Sequence, residues 1–498
     1  MKIFFAAVVL SLGGLAAAAY GAQPRPPHFE PEACPTTPRP IAALKAARCG
    51  YLVVPENRSK SSERTIRLAV AILPSHQQPP HPDPIVFMTG GPGESAINTI
   101  PFLVEAGINH DRDVIIMNQR GTLYDDPDMN CPELDGYNAE QVSLVFDAPS
   151  TGEVQAKAAA ACRNRLAGLG IDLSAYNTTE NERDFVDLRH VLRIPLWNVY
   201  GYSYGSDLAL SMMRDHPDGI RSVVVDSIVP PDIVNLPFTW GSFKAGMTAI
   251  FDDCAAQPSC ESRYPHLLAT LTELVNRLEK HPVVQNVVPP QGGAPVKVVL
   301  DGGTLVDMLV ANRPKPADMP RALTELAHGN PQIMLAARAG TAEVPAHPEQ
   351  ALGMTQSLVC REWEPYGSTA DVLRAGKEEF PNWPDSVLVN APQLPFEHEL
   401  CQAWNVPKGP DSQRVRVRSA IPTLVVSGDI DAKTGHQWGR YVANSLPNST
   451  YVRIRNIGHW VIVQSPCAAR IFRSFVDHPR SPDTTCVATV PRVRFNIK

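Results

Sequence analysis

The stretch Tyr200-Gly201-Tyr202-Ser203-Tyr204-Gly205 carries the pattern Gly-x-Ser-x-Gly. An apolar run, residues 196–200, comes before it, and a helix-like segment, residues 206–214, follows it. This order of strand, sharp turn and helix is that of a nucleophile elbow, in which the turn strains the serine backbone and glycines allow close packing. The alternative is a glycine-rich strand-to-helix turn that happens to contain a serine, since short motifs also match by chance.

The segments around this stretch predict a parallel sheet. Residues 85–88 and 114–117 are continuous apolar runs, which are typical of strands buried on both faces. Other strands are predicted at residues 51–55, 66–72, 196–200 and 223–226, and helices at 154–169, 179–192 and 206–214. Thr179 and Glu182 are expected to form a capping box at the start of the second helix. The alternation of strands and helices predicts an α/β fold.

The alternating pattern stops after Pro230-Pro231 and resumes near residue 421. Between these points the chain is mostly helical, with amphipathic stretches such as residues 267–278. The resumed part predicts a strand at 421–428, a helix at 436–445, a strand at 451–454 and a helix at 468–476. We therefore expect an α/β core from two segments, residues 22–232 and 419–498, with a helical cap inserted at 233–418.

The first residues predict a secretory signal peptide, residues 1–21. Lys2 precedes a short apolar run that ends in small residues, and the run is short for a membrane span. A retained amino-terminal anchor is the alternative. No comparable run follows, so we expect an exported chain, secreted or periplasmic, without a stable membrane anchor.

Ten cysteines fit an oxidising compartment. Pairing them in sequence gives five local loops, although the sequence does not fix the connectivity. The chain has no pair of Cys-x-x-Cys motifs, so disulfides are favoured over zinc and we expect no metal or cofactor. The formal net charge of −6 offers no basic stripe for nucleic acid.

The resumed sheet contains the two partners that an acyl-transfer serine needs, a base and an acid. They follow Ser203 in the chain order Ser, Asp, His that is usual in α/β-hydrolase sheets. His459 follows the predicted strand at 451–454, and Asp429 and Asp431 follow the strand that ends at Gly428. We favour Asp431 as the acid because it lies further from the strand end, while Asp429 could cap the turn. A surface histidine is the alternative for His459.

The loop Thr89-Gly90-Gly91-Pro92-Gly93-Glu94-Ser95 directly follows the predicted strand at 85–88. Glycines at that position allow backbone N–H groups to approach a substrate oxygen. We expect the N–H groups of Gly91 and Tyr204 to form an oxyanion hole. A phosphate loop is the alternative, but no Gly-Lys-Ser/Thr ending follows.

Three motifs together resemble the proline iminopeptidase group of α/β hydrolases, and secreted bacterial tripeptidyl aminopeptidases still more. They are Gly90-Gly91-Pro92-Gly93, Asn118-Gln119-Arg120-Gly121-Thr122 and Gly201-Tyr202-Ser203-Tyr204-Gly205. The resemblance runs from about Cys34 to Cys486. It implies the triad Ser203, Asp431 and His459 and the removal of amino-terminal residues from peptides.

This chain departs from that family at three positions. Thr89 stands where the family usually has histidine, Asn118 where it has aspartate, and Gly435 where it often has proline. The first two could alter the oxyanion loop or the fit of the substrate. Arg120 is expected to be structural and to support the oxyanion loop.

In the family, acidic cap residues bind the free amino group of the substrate. Glu362 and Glu364 are the candidates here, because a disulfide at Cys360 would fix their position; solvated surface glutamates are the alternative. The sequence thus favours an exported aminopeptidase that acts on peptides. An esterase or amidase for small acyl compounds and a catalytically silent binding protein remain alternatives, because one fold supports several functions. The oligomeric state is not predicted.

Overall fold

The computed structural model describes residues 27–60, 64–344 and 346–497. The predicted signal peptide lies outside these residues. The strands are β1 His28–Pro31, β2 Arg48–Pro55, β3 Thr65–Leu73, β4 Ile85–Met88, β5 Val114–Met117, β6 Trp197–Tyr202, β7 Ile220–Asp226, β8 Val283–Val287, β9 Val296–Leu300, β10 Thr423–Gly428 and β11 Ser449–Ile454.

The helices follow the same chain order. They are α1 Ile100–Glu105, α2 Pro132–Glu140, α3 Pro149–Gly168, α4 Thr178–Val191, α5 Tyr204–Asp215, α6 Asn235–Ala255, α7 Pro258–Arg263, α8 Leu267–Lys280, α9 Gly302–Val310, α10 Met319–Ala327, α11 Gln332–Ala339, α12 Leu352–Leu358, α13 Thr369–Glu379, α14 Asp385–Leu388, α15 Glu397–Trp404, α16 His436–Ala443, α17 Val461–Gln464 and α18 Pro466–Asp477.

Within the described residues, nine strands form one sheet in the order β1-β2-β3-β5-β4-β6-β7-β10-β11. The β1-β2, β2-β3 and β3-β5 pairs are antiparallel, and every pair from β5 to β11 is parallel. Strands β7 and β10 are neighbours although α6 to α15 lie between them in the chain. The sequence prediction of an α/β-hydrolase fold with a helical insertion is confirmed.

Both faces of the central strands are buried, as the continuous apolar runs predicted. Along β4, Val86 and Met88 pack into the core on one face, and Ile85 and Phe87 pack into the core on the other. All four side chains are at most 1% exposed. Burial of this kind stabilises the sheet by roughly 1.5–3 kcal/mol for each large apolar side chain.

The insertion has two parts with different packing. Most of it has its own apolar core, which includes the aromatic cluster Trp240, Phe243, Phe380 and Trp383. By contrast, residues 351–363 and α15 pack into the sheet core together with α3. The predicted cap, residues 233–418, therefore contains a segment that shares its core with the sheet.

Two local features differ from the sequence predictions. The capping box at Thr179 is wrong, because α4 begins one residue earlier and Asn177 caps it by accepting the Glu180 N–H at 2.9 Å. Asparagine is itself among the strongest N-cap residues. The insertion also contains the antiparallel hairpin β8-β9, which the helical pattern did not predict.

All five predicted cysteine pairs are disulfides in the structure. They are Cys34–Cys49, Cys131–Cys162, Cys254–Cys260, Cys360–Cys401 and Cys467–Cys486. Among the described residues, no helix combines the length and the apolar composition needed to cross a membrane.

Candidate active site

Four loops meet at one edge of the sheet because the strands before them run in parallel. They follow β4, β6, β10 and β11, and the strand order places these strands side by side with β7 among them. The loops carry, in chain order, the glycine motif, Ser203, Asp431 and His459. Ligand and catalytic sites of open α/β sheets lie at this carboxyl edge of the strands.

Ser203 has the strained backbone that the elbow requires. Its φ is 54° and its ψ is −128°, and its N–H donates to the Asp226 carbonyl at 2.9 Å. A Cβ at Gly201 would lie 2.0 Å from the Gly205 carbonyl oxygen, and a Cβ at Gly205 would lie 2.1 Å from the Met88 carbonyl oxygen. The prediction of close packing between strand and helix is thus confirmed at both glycines.

Asp431 and His459 are joined directly. The Asp431 Oδ2 atom lies 3.0 Å from His459 Nδ1 and also accepts the Thr434 hydroxyl at 2.7 Å, while Oδ1 accepts the Lys433 and Thr434 N–H groups. Burial raises the pKa of Asp431, but the His459 charge and these hydrogen bonds outweigh burial and hold it well below its usual value. The ionised carboxylate therefore orients the imidazole through Nδ1, and Nε2 is the ring nitrogen that the carboxylate does not contact.

Asp429 has the other role that the sequence allowed. Its Oδ1 accepts the Asn456 N–H at 2.7 Å, which ties the end of β10 to the turn after β11. Burial raises its pKa. Asp429 therefore stabilises the loop that holds His459, whereas Asp431 contacts the imidazole.

The Ser203 hydroxyl and His459 are not hydrogen-bonded to each other among the described contacts. His459 is 19% exposed at its side chain and Ser203 is 8% exposed, so both side chains are largely buried. Catalytic hydrogen bonds in ligand-free sites are often long and tighten when the substrate binds.

The predicted oxyanion loop, residues 89–95, comes close to Ser203. A Cβ on Gly90 would lie 3.3 Å from Ser203 Oγ, so the glycine leaves no room for a side chain between this loop and the Ser203 hydroxyl. Gly91 has a φ of +101°, and Tyr204 is the first residue of α5, where backbone N–H groups have no partner within the helix. Neither N–H donates to another described backbone group. Both remain available to a substrate oxygen.

Neighbouring side chains hold this loop in place. Gln119 donates to the Thr89 carbonyl at 2.7 Å, and Thr355 donates to the Pro92 carbonyl at 2.7 Å. Asn118, which stands where the family has aspartate, accepts from the Ser95 hydroxyl at 3.2 Å. The loop is therefore fixed by the second motif and by the segment of the insertion that shares the sheet core.

The prediction that Arg120 supports the oxyanion loop is wrong. Its guanidinium is fully buried and forms two hydrogen bonds of 2.8 Å to Asp184 on α4. It also donates to the backbone carbonyls of Glu56 and Ala175. Arg120 thus joins α4 to the first strands, as a structural residue, and the preceding Gln119 contacts the loop.

Neither predicted cap glutamate contacts the triad. Glu362 is buried on a π-helical turn, where its carboxylate accepts the backbone N–H of Thr178 at 2.8 Å and the hydroxyl of the same residue. Burial raises its pKa. Glu364 accepts from His398 Nδ1 at 2.6 Å near the start of α15. Glu362 therefore joins the insertion to α4 of the core, and Glu364 joins two segments of the insertion.

Two charged residues at the site were not singled out from the sequence. Glu94 accepts hydrogen bonds from Thr89 and Tyr202, and Lys433 follows Asp431 in the same loop. Glu94 lies inside the glycine motif itself, so a search for charged residues in that motif would have found it. The proximity of Lys433 to Glu94 depends on the tertiary fold.

No metal role is assigned to the groups of potential ligands among the described residues. Two of the three groups contain a disulfide, whose sulfurs are not thiolates. In the third, Asp111 and Asp477 both accept from Arg112. The groups are Cys131, Glu133 and Cys162; Cys360, Glu397 and Cys401; and His81, Asp111 and Asp477.

Comparison with protein families gives two matches. Residues 83–282 match the model described as alpha/beta hydrolase fold, and residues 389–487 match the model described as TAP-like protein. The first match contains the glycine motif and Ser203, and the second contains Asp431 and His459. The chain has the α/β-hydrolase fold.

This α/β hydrolase is also similar to curated proteins over part of its length. It is 26% identical over 228 residues to the Escherichia coli K12 protein YuaR, a match that covers 43% of each chain. It is 27% identical over 195 residues to tripeptidyl aminopeptidases of Streptomyces coelicolor and Streptomyces lividans. Those matches cover 38% of this chain and 36% of each relative. The α/β hydrolase therefore spans about two fifths of the length of the curated relatives that it matches.

Solved structures are similar at lower identity. A proline iminopeptidase from Mycobacterium smegmatis is 14% identical, with 86% of this chain and 98% of that chain covered and a TM-score of 0.39. A serine hydrolase from Cycloclasticus is 12% identical, with 83% and 94% covered and a TM-score of 0.33.

Proposed function

We propose that this α/β hydrolase is an exported serine exopeptidase that releases amino-terminal residues or short peptides from peptides. The observation that carries the proposal is the 3.0 Å contact between Asp431 and His459 at the edge of the sheet where Ser203 has its strained elbow conformation. A serine, a base oriented by a buried carboxylate and free backbone N–H groups are the parts that acyl transfer requires.

The proposed reaction starts when His459 Nε2 accepts the hydroxyl proton of Ser203 and Oγ attacks the peptide carbonyl. The oxyanion of the tetrahedral intermediate accepts hydrogen bonds from the Gly91 and Tyr204 N–H groups, each worth about 2.7–4 kcal/mol in comparable sites. His459 then gives its proton to the leaving amine, which breaks the C–N bond and forms an acyl-enzyme. Water, deprotonated by His459, hydrolyses the ester and restores Ser203.

The named relatives support a peptidase over other hydrolases. Two of them are tripeptidyl aminopeptidases, and the match to the TAP-like model includes the loops of Asp431 and His459. An esterase or amidase of the same fold is the second candidate, because the same triad and oxyanion hole hydrolyse small acyl compounds.

Rates on matched substrates separate these candidates. The panel contains aminoacyl and tripeptidyl amides with a free amino terminus, the same amides acetylated at that terminus, and simple esters. An exopeptidase hydrolyses the free amides and discriminates strongly against the acetylated ones. Equal rates on free and acetylated amides, or activity on esters alone, would reject the exopeptidase and support the second candidate.

Five disulfides support the export part of the proposal, because disulfides persist in oxidising compartments. Fractionation of cells that express the full chain tests it, with amino-terminal sequencing of the product. We expect the protein outside the cytoplasm, beginning near residue 22. A product in the cytoplasm that retains Met1 and free thiols would contradict export.

A further inference from the structure

Glu94 places a carboxylate beside the nucleophile. Its Oε2 atom accepts the Thr89 hydroxyl at 3.2 Å and the Tyr202 hydroxyl. Tyr202 directly precedes Ser203, and its ring lies edge-on to the His459 ring with centroids 6.0 Å apart. Glu94 is therefore held at the catalytic edge of the sheet by a residue of the elbow itself.

A chain of contacts sets how far this carboxylate lies from the serine. A Cβ on Gly90 would lie 3.3 Å from Ser203 Oγ and 3.0 Å from Tyr202 Cζ, and the hydroxyl beyond that carbon contacts Glu94. An extended peptide spans about 3.3–3.6 Å per residue. The carboxylate thus lies within the length of about three substrate residues from the nucleophile.

Two other acids at this edge of the sheet already have partners among the described residues. Asp431 is bound to His459. Asp226 accepts four hydrogen bonds, from the Val461 and Ile462 N–H groups and from two hydroxyls, those of Tyr200 and Ser227. By contrast, Glu94 Oε1 accepts no hydrogen bond from a described residue, and its side chain is half-buried rather than freely solvated.

Lys433 is the cation near Glu94, and it forms no ion pair with the Oε1 atom of Glu94. Its ammonium forms no ion pair with a described residue. Lys433 is exposed to solvent, and the negative charges that act on it are the carboxylates of Asp431, Glu94 and Asp307. Asp307 has its own partner in Arg338, at 3.6 Å. Glu94 therefore offers a half-buried carboxylate oxygen without a bound cation.

We propose that Glu94 binds the free α-ammonium of the substrate and limits release to one, two or three amino-terminal residues. The inference rests on the proposed exopeptidase function and names its recognition residue. A charged carboxylate that receives an ammonium in a partly desolvated cleft forms a charge-assisted hydrogen bond, which an acetylated nitrogen cannot form with the same strength. Thr89 and Tyr202 position the carboxylate for this role.

The test compares the wild type with Glu94→Gln on one pair of substrates, an aminoacyl amide with a free amine and its acetylated form. The measured quantity is the ratio of the two kcat/KM values in each enzyme, so any general change in the oxyanion loop cancels. Glutamine retains an oxygen that can accept from Tyr202 and Thr89 but has no charge. We expect the ratio to fall about 10- to 100-fold, the range for a hydrogen bond to a charged group.

Two further variants complete the design. Glu94→Asp retains the charge and should keep most of the preference for the free amine. Glu105→Gln removes an exposed carboxylate from nearby α1 and should leave the ratio unchanged. Labelling of Ser203 by a fluorophosphonate probe counts the folded active sites in each sample.

Each outcome has one meaning. A ratio that falls in Glu94→Gln and persists in Glu94→Asp supports the inference. A wild-type preference for the free amine that survives in Glu94→Gln overturns the role of Glu94 and leaves the exopeptidase standing. A wild type without any preference overturns the exopeptidase and this inference together. Products longer than three residues would contradict the proposed length limit.

Discussion

The carboxylate oxygen Oδ2 of Asp431 lies 3.0 Å from Nδ1 of His459, and this contact joins the loops that follow the neighbouring strands β10 and β11. The carboxylate is fully buried, yet its pKa lies below the usual value because the His459 charge and the hydrogen bonds from Thr434 and Lys433 outweigh the cost of burial. Asp431 thus remains ionised at neutral pH and fixes the imidazole in one orientation.

Replacing Asp431 by asparagine should reduce kcat by about 10⁴-fold, because the amide favours the wrong imidazole tautomer. The matched variant Asp429→Asn changes an acid two residues away that contacts Asn456 and not His459. We expect that variant to retain activity within about tenfold. Steady-state kinetics on one substrate compares the two variants. An equal loss of activity in both would contradict the assignment of Asp431 as the catalytic acid.

The packing of the elbow predicts the effect of a single methyl group. In Gly205→Ala the new Cβ would lie 2.1 Å from the Met88 carbonyl oxygen, so strand β4 or helix α5 must shift. We expect a loss of about 1–3 kcal/mol in the free energy of unfolding, with loss of activity. Gly136→Ala on α2 meets no atom within 4 Å and should be neutral or slightly stabilising. Denaturant unfolding measures both, and a neutral Gly205→Ala would contradict the elbow geometry.

The disulfides should contribute unequally to stability. Cys360–Cys401 closes a loop of 41 residues and Cys254–Cys260 a loop of 6 residues. Loop entropy predicts that removing the disulfide of the longer loop by double Cys→Ser substitution lowers the free energy of unfolding by roughly 1.5–2 kcal/mol more than removing the disulfide of the shorter loop. Denaturant unfolding under non-reducing conditions measures the difference. The reverse order would show that native-state contacts, not chain entropy, dominate.

Glu397 predicts a pH dependence of stability. The group is buried on α15 beside the Cys360–Cys401 disulfide, and burial, followed by the nearby Glu364 charge, raises its pKa from 4.5 to about 8. Between pH 4.5 and about pH 8, Glu397 therefore keeps its proton in the folded state but loses it in the unfolded state. The free energy of unfolding consequently decreases as the pH rises through this range. Glu397→Gln removes this contribution and should stabilise the protein above pH 8 relative to the wild type, by an amount on the order of a few kcal/mol.

At pH 4 the free energy of unfolding of the same variant should differ little from that of the wild type, because Glu397 is then mostly protonated in both the folded and the unfolded protein. Thermal unfolding across the pH range gives the comparison. A constant difference between variant and wild type at every pH would contradict a buried, protonated Glu397.

The sequence predicted the elements whose signal is local. The apolar runs of β4 and β5 match the structure residue for residue, and the order of Ser203, Asp431 and His459 places all three at one edge because parallel strands end there. The cysteine pairs were also correct, since each joins segments that are close in the chain.

Other features depend on contacts between distant segments. Glu362 lies in a helix-rich stretch that the sequence pattern assigns to the cap, but residues around it pack into the sheet core and its carboxylate binds Thr178. No local pattern distinguishes an amphipathic helix that packs on a cap from one that packs on a sheet. The proposed role of Glu94 also depends on tertiary structure, since its contact with Tyr202 joins the ends of β4 and β6.

The most direct test of the central claim is mass spectrometry of a peptide and its amino-acetylated form during incubation with the wild type and with Ser203→Ala. We expect residues to disappear from the amino end of the free peptide only, and only with the wild type, while Ser203→Ala loses several orders of magnitude in rate and remains folded. Cleavage of both peptides at the same rate, cleavage from the carboxyl end, or full activity of Ser203→Ala would contradict the account.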